Sequence, residues 1–161
     1  MNQQEESYDQ AMQTAMAMLK RRDLSCRELS AKLGGKRFGQ RVIHQVIARL
    51  QDLAFLDDKS LGIDVMNQLQ SRKPTGPHLL KAKLIGRGID PTLVDHLIDT
   101  AKTNIDQVQQ ARALAQVRLT RMKITNPQHI RKKLWGTLAR RGFESDTIES
   151  ALNELDVCDE G

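Results

Sequence analysis

Four histidines, a pair of adjacent aspartates, two cysteines and a few glycines beside lysines are the residues of this 161-residue chain with catalytic or metal-binding potential. His44, His78, His96 and His129 are scattered one per segment. A histidine base needs a group to orient it and a nucleophile within reach, and the neighbouring residues nominate neither. Asp57-Asp58 has the chemistry of a metal pair, but the better reading is that it ends one structural unit and caps the next helix. Gly34, Gly35 and Gly39 follow a helical pattern, not a strand, so they do not make a phosphate loop. Neither a GxxxxGKS/T loop, a GxGxxG turn nor an HExxH pair occurs. Cys26 and Cys158 have no metal-type spacing with any histidine, and two reduced thiols are expected. No catalytic residue, no metal and no cofactor is therefore expected, and the chain reads as a binding protein, not an enzyme.

The chemistry that remains is positive charge. The chain holds 25 Lys+Arg against 20 Asp+Glu, a net of +5, and spreads them unevenly. Residues 11–49 carry nine basic and two acidic side chains, residues 71–88 five basic and none acidic, and residues 112–142 nine basic and none acidic. The stretches between them, 50–70 and 89–111, are each net −3, and seven acidic residues follow position 142. A basic face of this kind meets phosphate or acidic protein surface, with an affinity that falls steeply with salt. The candidate contacts are Arg72, Lys73, Lys81, Lys83 and Arg87 in the middle third, and Arg131, Lys132, Lys133, Arg140 and Arg141 in the last. Lys132, Lys133 and Arg140 point away from an apolar stripe at Leu134 and Leu138, while Lys81 and Lys83 flank Leu80 and Leu84. Trp135 sits beside its stripe, at the core edge, and Met12, Met16 and Met18 read as adaptable core packing.

The elements carrying these charges are helices. Apolar residues make up 39% of the chain and aromatics only 3%, and the apolar positions recur at spacings of three and four among Ala, Leu, Gln, Lys and Arg. Laid against itself, the chain shows one pattern three times: Leu29, Leu33, Phe38, Ile43, Val46, Ile47, Leu50; then Leu80, Leu84, Ile89, Val94, Leu97, Ile98, Ala101; then Leu134, Leu138, Phe143, Ile148, Ala151, Leu152, Leu155. The increments within each copy are identical, and the copies are offset by 51 and then 54 residues.

Within a copy the first two positions share a helix face, a turn follows, and the last four form the stripe of another helix. Gly88 and Gly142 mark the turn, where positive φ is needed. The first copy has Gly34-Gly35 earlier and Lys36-Arg37 before the Phe, so a different turn is expected there. Ser25, Pro74-Thr75-Gly76-Pro77 and Thr125-Asn126-Pro127 mark the starts of the first helices of the pairs; Asp90-Pro91 and Glu144-Ser145-Asp146 mark two starts of the second. A further helix precedes each pair, at about 8–21, 61–72 and 106–122. The expected architecture is all-α: a polar segment (1–10) and three three-helix repeats (11–60, 61–104, and 105–161 with a short acidic tail), stacked into an elongated, curved body. The polar, acidic N-terminus does not read as a signal or transit peptide, and no apolar run approaches the roughly 20 residues that cross a bilayer.

The residues also resemble a known family. Arg22-Asp23-Leu24-Ser25-Cys26-Arg27-Glu28-Leu29 resembles the R-x-x-S-x-x-E-L block that opens RecX proteins, and Phe55-Leu56-Asp57-Asp58 their junction after the first repeat. Gly76-Pro77, Leu80, Leu84 and Gly88-Ile89 resemble the second repeat of that family, and Arg141-Gly142-Phe143 the third. The likeness spans about 11–155; Lys59-Ser60-Leu61 and Lys83 depart from the family pattern. It implies a cytoplasmic, monomeric regulator that binds the RecA recombinase filament in its groove, with weak or indirect DNA contact. It further implies modulation, as an inhibitor, of recombination, ATPase and coprotease activities in DNA repair and the SOS response. The competing reading is a general nucleic-acid-binding helical repeat protein with no recombinase partner.

Overall fold

The computed structural model describes residues 3–155, and among them nine helices and no strand. In chain order these are α1 (Gln3–Leu19), α2 (Cys26–Gly35), α3 (Gln40–Asp52), α4 (Asp58–Arg72), α5 (Pro77–Gly86), α6 (Pro91–Asn104), α7 (Gln107–Thr120), α8 (Pro127–Arg140) and α9 (Ser145–Glu154). The all-α, three-helix repeat expected from the periodicity is what the chain forms. Of the three seven-residue sets, every member is buried except Phe38, Ile47, Ala101 and Leu155, which are half-buried. Cys158 and the acidic tail lie outside the described residues.

The helix starts follow local chemistry. Ser25 Oγ accepts from the Glu28 amide at 3.0 Å while the Glu28 carboxylate accepts from the Ser25 amide at 3.0 Å, a reciprocal capping box for α2. Asp57 caps α4, accepting from the amides of Lys59 and Ser60 and from the Ser60 hydroxyl. Asp58 reaches across to accept from the Cys26 amide at 2.9 Å, so the aspartate pair serves two helix N-termini. Asp90 accepts from the Thr92 amide, and Asn126 from the amides of Gln128 and His129. Glu144, at the N-cap of α9, makes no cap bond and pairs instead with Lys102 at 2.7 Å.

The chain divides into two compact units, one holding residues up to Asp64 with Leu84–Val94, the other Val65–Lys83 with Asp95 onward. In the first, α1, α2 and α3 pack around Ala11, Ala15, Leu29, Leu33, Ile43, Val46 and Leu50, with Met12, Met16 and Met18 against this core. In the second, α7, α8 and α9 pack around Ala111, Leu114, Ala115, Leu134, Leu138, Ile148 and Leu152, with Trp135 half-buried at the edge. Alanines four apart on α1 and on α7 are fully buried, and their small side chains let the neighbouring helices approach closely.

The turn after the middle helix is built identically in all three repeats, which corrects the expectation of a different first turn. Phe38, Ile89 and Phe143 each donate an amide hydrogen to the carbonyl five residues back, on Leu33, Leu84 and Leu138, at 3.3 Å. Arg37, Gly88 and Gly142 each donate to the carbonyl three residues back, at 2.9 Å. That pair of bonds is a Schellman motif, and it requires positive φ at the residue before the Phe or Ile. Gly88 has φ +77°, Gly142 +84° and Arg37 +68°. Gly34 and Gly35 are simply the last residues of α2. An arginine is tolerated at 37 because it is exposed, whereas the glycines at 88 and 142 are pressed against other backbone and side chains.

Candidate functional site

Two places where a glycine turn presses against another helix organise the basic residues. The first lies in the first unit, where the Gly88 turn meets the start of α2. A Cβ placed on Gly88 would stand 3.0 Å from both Arg27 Cβ and Ser25 Oγ. Arg87 crosses beside it, donating from Nε to Glu28 Oε1 at 2.9 Å and from Nη2 to Glu28 Oε2 at 3.3 Å and to the Asp23 carbonyl at 2.9 Å. Arg22 adds a longer contact to Glu28 at 3.3 Å. Burial raises the Glu28 pKa, but the hydrogen bond from Arg87, the Ser25 amide and the two guanidinium charges outweigh it and hold the carboxyl below the usual range.

The second place lies in the second unit and repeats the theme with different atoms. A Cβ on Gly142 would come within 2.2 Å of the Leu79 amide nitrogen, and one on Gly76 within 2.3 Å of the Gly142 carbonyl carbon. The Gly76 amide donates to the Arg141 carbonyl at 2.7 Å, and the His78 amide to the Gly142 carbonyl at 2.9 Å, so this turn caps the N-terminus of α5. Arg141 donates to the Pro74 carbonyl at 3.1 Å, the Lys73 carbonyl at 3.2 Å and the buried Thr75 hydroxyl at 2.6 Å.

The ten basic residues that the sequence nominates therefore fall into three groups. Arg87 and Arg141 are half-buried and committed to the contacts just described. Lys81 pairs with Asp95 on α6 at 2.6 Å, and half-buried Arg131 donates to Asn153 on α9 at 3.0 Å. Arg72, Lys73, Lys83, Lys132, Lys133 and Arg140 are exposed, and none of them meets a carboxylate among the described residues. On α8, Lys133 and Arg140 lie two turns apart along one face, and Lys132 adjoins it. Arg140 folds back over Gly136, its Nη1 3.3 Å from where a Cβ on that glycine would sit.

Further exposed cations stand outside that set of ten: Arg118, Arg121 and Lys123 at the end of α7, and Lys20, Arg27, Lys32, Lys36, Arg37, Arg41 and Arg49 in the first repeat. Their only signal in the sequence is the charge run itself, which ranks no member above another. Among the described residues no group of His, Cys, Asp and Glu could hold a metal ion, and no helix is long and apolar enough to cross a membrane. A surface groove between α1 and α3 is lined by Glu5, Tyr8, Asp9, Arg41 and Gln45, acid and base together with no nucleophile–base pair. Cys26 is a free, half-buried thiol; burial and then the Asp58 carboxylate push its pKa up to about 11, which leaves it a protonated packing group at neutral pH.

Comparison with known proteins decides what this arrangement belongs to. Residues 11–50 match the sequence model of the RecX first three-helix domain, and residues 105–152 that of the RecX third three-helix domain. A "Regulatory protein RecX" of Pelodictyon phaeoclathratiforme is 31% identical over 145 residues, covering 90% of this chain and 88% of that protein. The chain belongs to the RecX family. Another regulatory protein RecX, from Chlorobium phaeobacteroides, is 28% identical over 145 residues and covers 90% of this chain and 93% of its own length. The crystal structure of RecX from Lactobacillus salivarius superposes with a TM-score of 0.85 at 22% identity, over 95% of this chain and 99% of that one. At that identity the likeness speaks for the fold: this chain has the RecX helical-repeat fold, and the relatives it matches are named as regulatory proteins.

Proposed function

We propose that this RecX-family chain regulates a RecA-type recombinase filament, lying in its groove and acting as an inhibitor of recombination, ATPase and coprotease activities in DNA repair and the SOS response. The reading is that of a cytoplasmic, non-catalytic monomer built of repeats at 11–60, 61–104 and 105–161. The observation that carries it is the set of exposed cations without carboxylate partners, Arg72, Lys73, Lys83, Lys132, Lys133 and Arg140, on a chain of this family. Such a set suits phosphate and acidic protein surface alike. Inhibition requires tighter binding to a filament state less able to grow or exchange strands, since a ligand shifts an equilibrium only by differential affinity. The committed arginines, Arg87 and Arg141, are left out of the proposed contact face.

The test is a recombinase ATPase and strand-exchange assay with the protein titrated in, set beside its binding to bare DNA. Charge reversal to glutamate at Lys132, Lys133 and Arg140 should abolish most of the inhibition. It should also flatten the salt dependence of binding by about one unit of slope for each phosphate left without its cation. Arg140 stands in the last turn of α8, so reversal there costs about 0.3–1 kcal/mol in the helix dipole; Arg140→Gln separates that effect from binding. Asp99→Lys, on an exposed position of α6, is the control; Asp95 is unsuitable because it pairs with Lys81. Unchanged inhibition by the folded triple variant would refute the assignment of this face. Equal saturation on bare DNA and on filament would favour the general nucleic-acid-binding reading.

A further inference from the structure

Arg87 and Arg141 are separated by 54 residues, the spacing of the second and third repeats, so they occupy the same position in successive copies. Their acceptors correspond as well. Asp23 and Pro74 are 51 residues apart, the spacing of the first and second repeats, and each gives its carbonyl oxygen to the arginine of the following copy. The chain thus contains one joint built twice, in which the arginine before a glycine turn grips the start of the preceding repeat's middle helix.

The two versions differ at several register positions, among them Leu24 and Thr75, Ser25 and Gly76, and the one that decides the charge. Glu28 in the first repeat corresponds to Leu79 in the second. Where the glutamate stands, the arginine makes a two-bond ion pair, and the side chains hold the Gly88 turn at close contact. Where the leucine stands, no carboxylate is offered. Arg141 turns to two carbonyls and a hydroxyl, and the backbones close until the Gly76 and His78 amides bond directly to the turn.

We propose that Arg87 and Arg141 are the two fasteners of this repeated joint, and that only the first is ionic: a latch that anions loosen while the second joint holds. The amide–carbonyl bonds of the second joint are neutral and Arg141 bonds only neutral acceptors, so salt screens that joint far less than an ion pair that is partly open to solvent. The side chains of Arg87 and Glu28 are 27% and 17% exposed, enough for salt to reach them. Chloride, or the phosphates of a polyanion, competes with Glu28 for the guanidinium; nothing comparable competes for a carbonyl–amide pair. In the first repeat the corresponding position is Lys36; it and Arg37 are both exposed, so Arg37 needs no glycine's clearance.

Each joint carries its own reporter amide in the full chain. The Ser25 amide donates to the Glu28 carboxylate, and the His78 amide donates to the Gly142 carbonyl. Hydrogen exchange followed residue by residue between low salt and 1 M NaCl should show Ser25 exchange rising about fivefold relative to His78, the change that screening one partly exposed pair produces. In Arg87→Gln the Ser25 amide should exchange fast at every salt concentration, with the salt response gone. Arg22→Gln should leave the response in place, because its contact is longer and more exposed. Arg141→Gln should speed exchange at Gly76 and His78 equally at all salt concentrations. The wild-type comparison decides the matter even if Arg87→Gln does not fold, since both reporters sit in one molecule. Equal salt responses at Ser25 and His78, or a salt response that survives in folded Arg87→Gln, would overturn the proposal.

Discussion

Three copies of one turn, each in a different environment, make a graded test of what glycine contributes here. In Gly142→Ala the new methyl group must adopt positive φ, which costs an L-residue about 1–2 kcal/mol. It must also occupy a point 2.2 Å from the Leu79 amide nitrogen, which is backbone and cannot swing aside. The turn and the start of α5 therefore separate, and the bonds from the Gly76 and His78 amides weaken, each with a net worth of about 0.5–1.5 kcal/mol. The expected loss is about 3–5 kcal/mol, a large part of a typical total stability of about 5–15. Gly88→Ala bears the same conformational cost, but its neighbours at 3.0 Å are side-chain atoms of Arg27 and Ser25, so about 1.5–3 kcal/mol should suffice. Arg37→Gly runs the other way. It relieves the positive φ at an exposed position and gives back about 0.5–1 kcal/mol as backbone entropy, leaving it neutral to stabilising by about 1. Urea unfolding midpoints of the three variants should rank Gly142→Ala lowest, Gly88→Ala next and Arg37→Gly at or above the parent. Equal losses at 88 and 142, or a clear loss in Arg37→Gly, would refute the reasoning that close approach, and not the turn alone, demands glycine.

Leu84→Asp should abolish the cooperative thermal transition, because Leu84 is fully buried and an unpaired charge there costs several kcal/mol. Thr75→Val should lower stability by about 1–2 kcal/mol in urea melts, since it keeps the buried volume but removes the hydroxyl that Arg141 reaches. Glu28, Glu144 and Asp57 all have carboxyl pKa values held below the ordinary 4.5, 4.5 and 3.8, so their contribution is complete above those values and is lost as pH falls through the depressed ones. Urea midpoints should therefore hold from pH 7 to 5 and drop below about pH 4, the drop being smaller in Glu28→Gln. Cys26, pushed up to about 11, should react with iodoacetamide far more slowly at pH 8 than an unfolded cysteine, and a rate equal to that of the urea-unfolded chain would refute its placement.

The repeat is legible in the sequence because three copies in register leave little to coincidence: no residue of the predicted sets is exposed. Helix ends are legible where a side chain does the capping, as at Ser25, Asp57, Asp90 and Asn126. They are less so where tertiary contact does it. Pro74-Thr75-Gly76-Pro77 announces the start of α5, but the carbonyl that satisfies the His78 amide belongs to Gly142, which lies 64 residues along the chain. The first turn defies its sequence for a related reason. Glycine at 88 and 142 looks like a requirement of the turn, and its absence at 37 looks like a different turn. Positive φ alone tolerates an arginine at modest cost; it is the close approach of backbone at 142, and of the Arg27 and Ser25 side chains at 88, that excludes a side chain.

The same distinction governs how the charges should be read. A run of cations in sequence says that a surface is basic, but not which of its members are free, because a guanidinium is also the side chain best suited to gathering several backbone carbonyls. Arg87 and Arg141 stand in basic runs and look like their neighbours, yet each is spent on a joint whose acceptors lie 59–68 positions away in the chain. The clue available in the sequence is the pairing itself: arginine directly before glycine, at the same register in the second and third copies and absent from the first. Arg87 and Arg141 recur with the fold's own period and are bound to its construction, while Lys133 and Arg140 have no cation at their register in the other two copies. Those aperiodic charges are where binding to a partner should be sought, and the periodic ones are where the stability of the repeats should be tested.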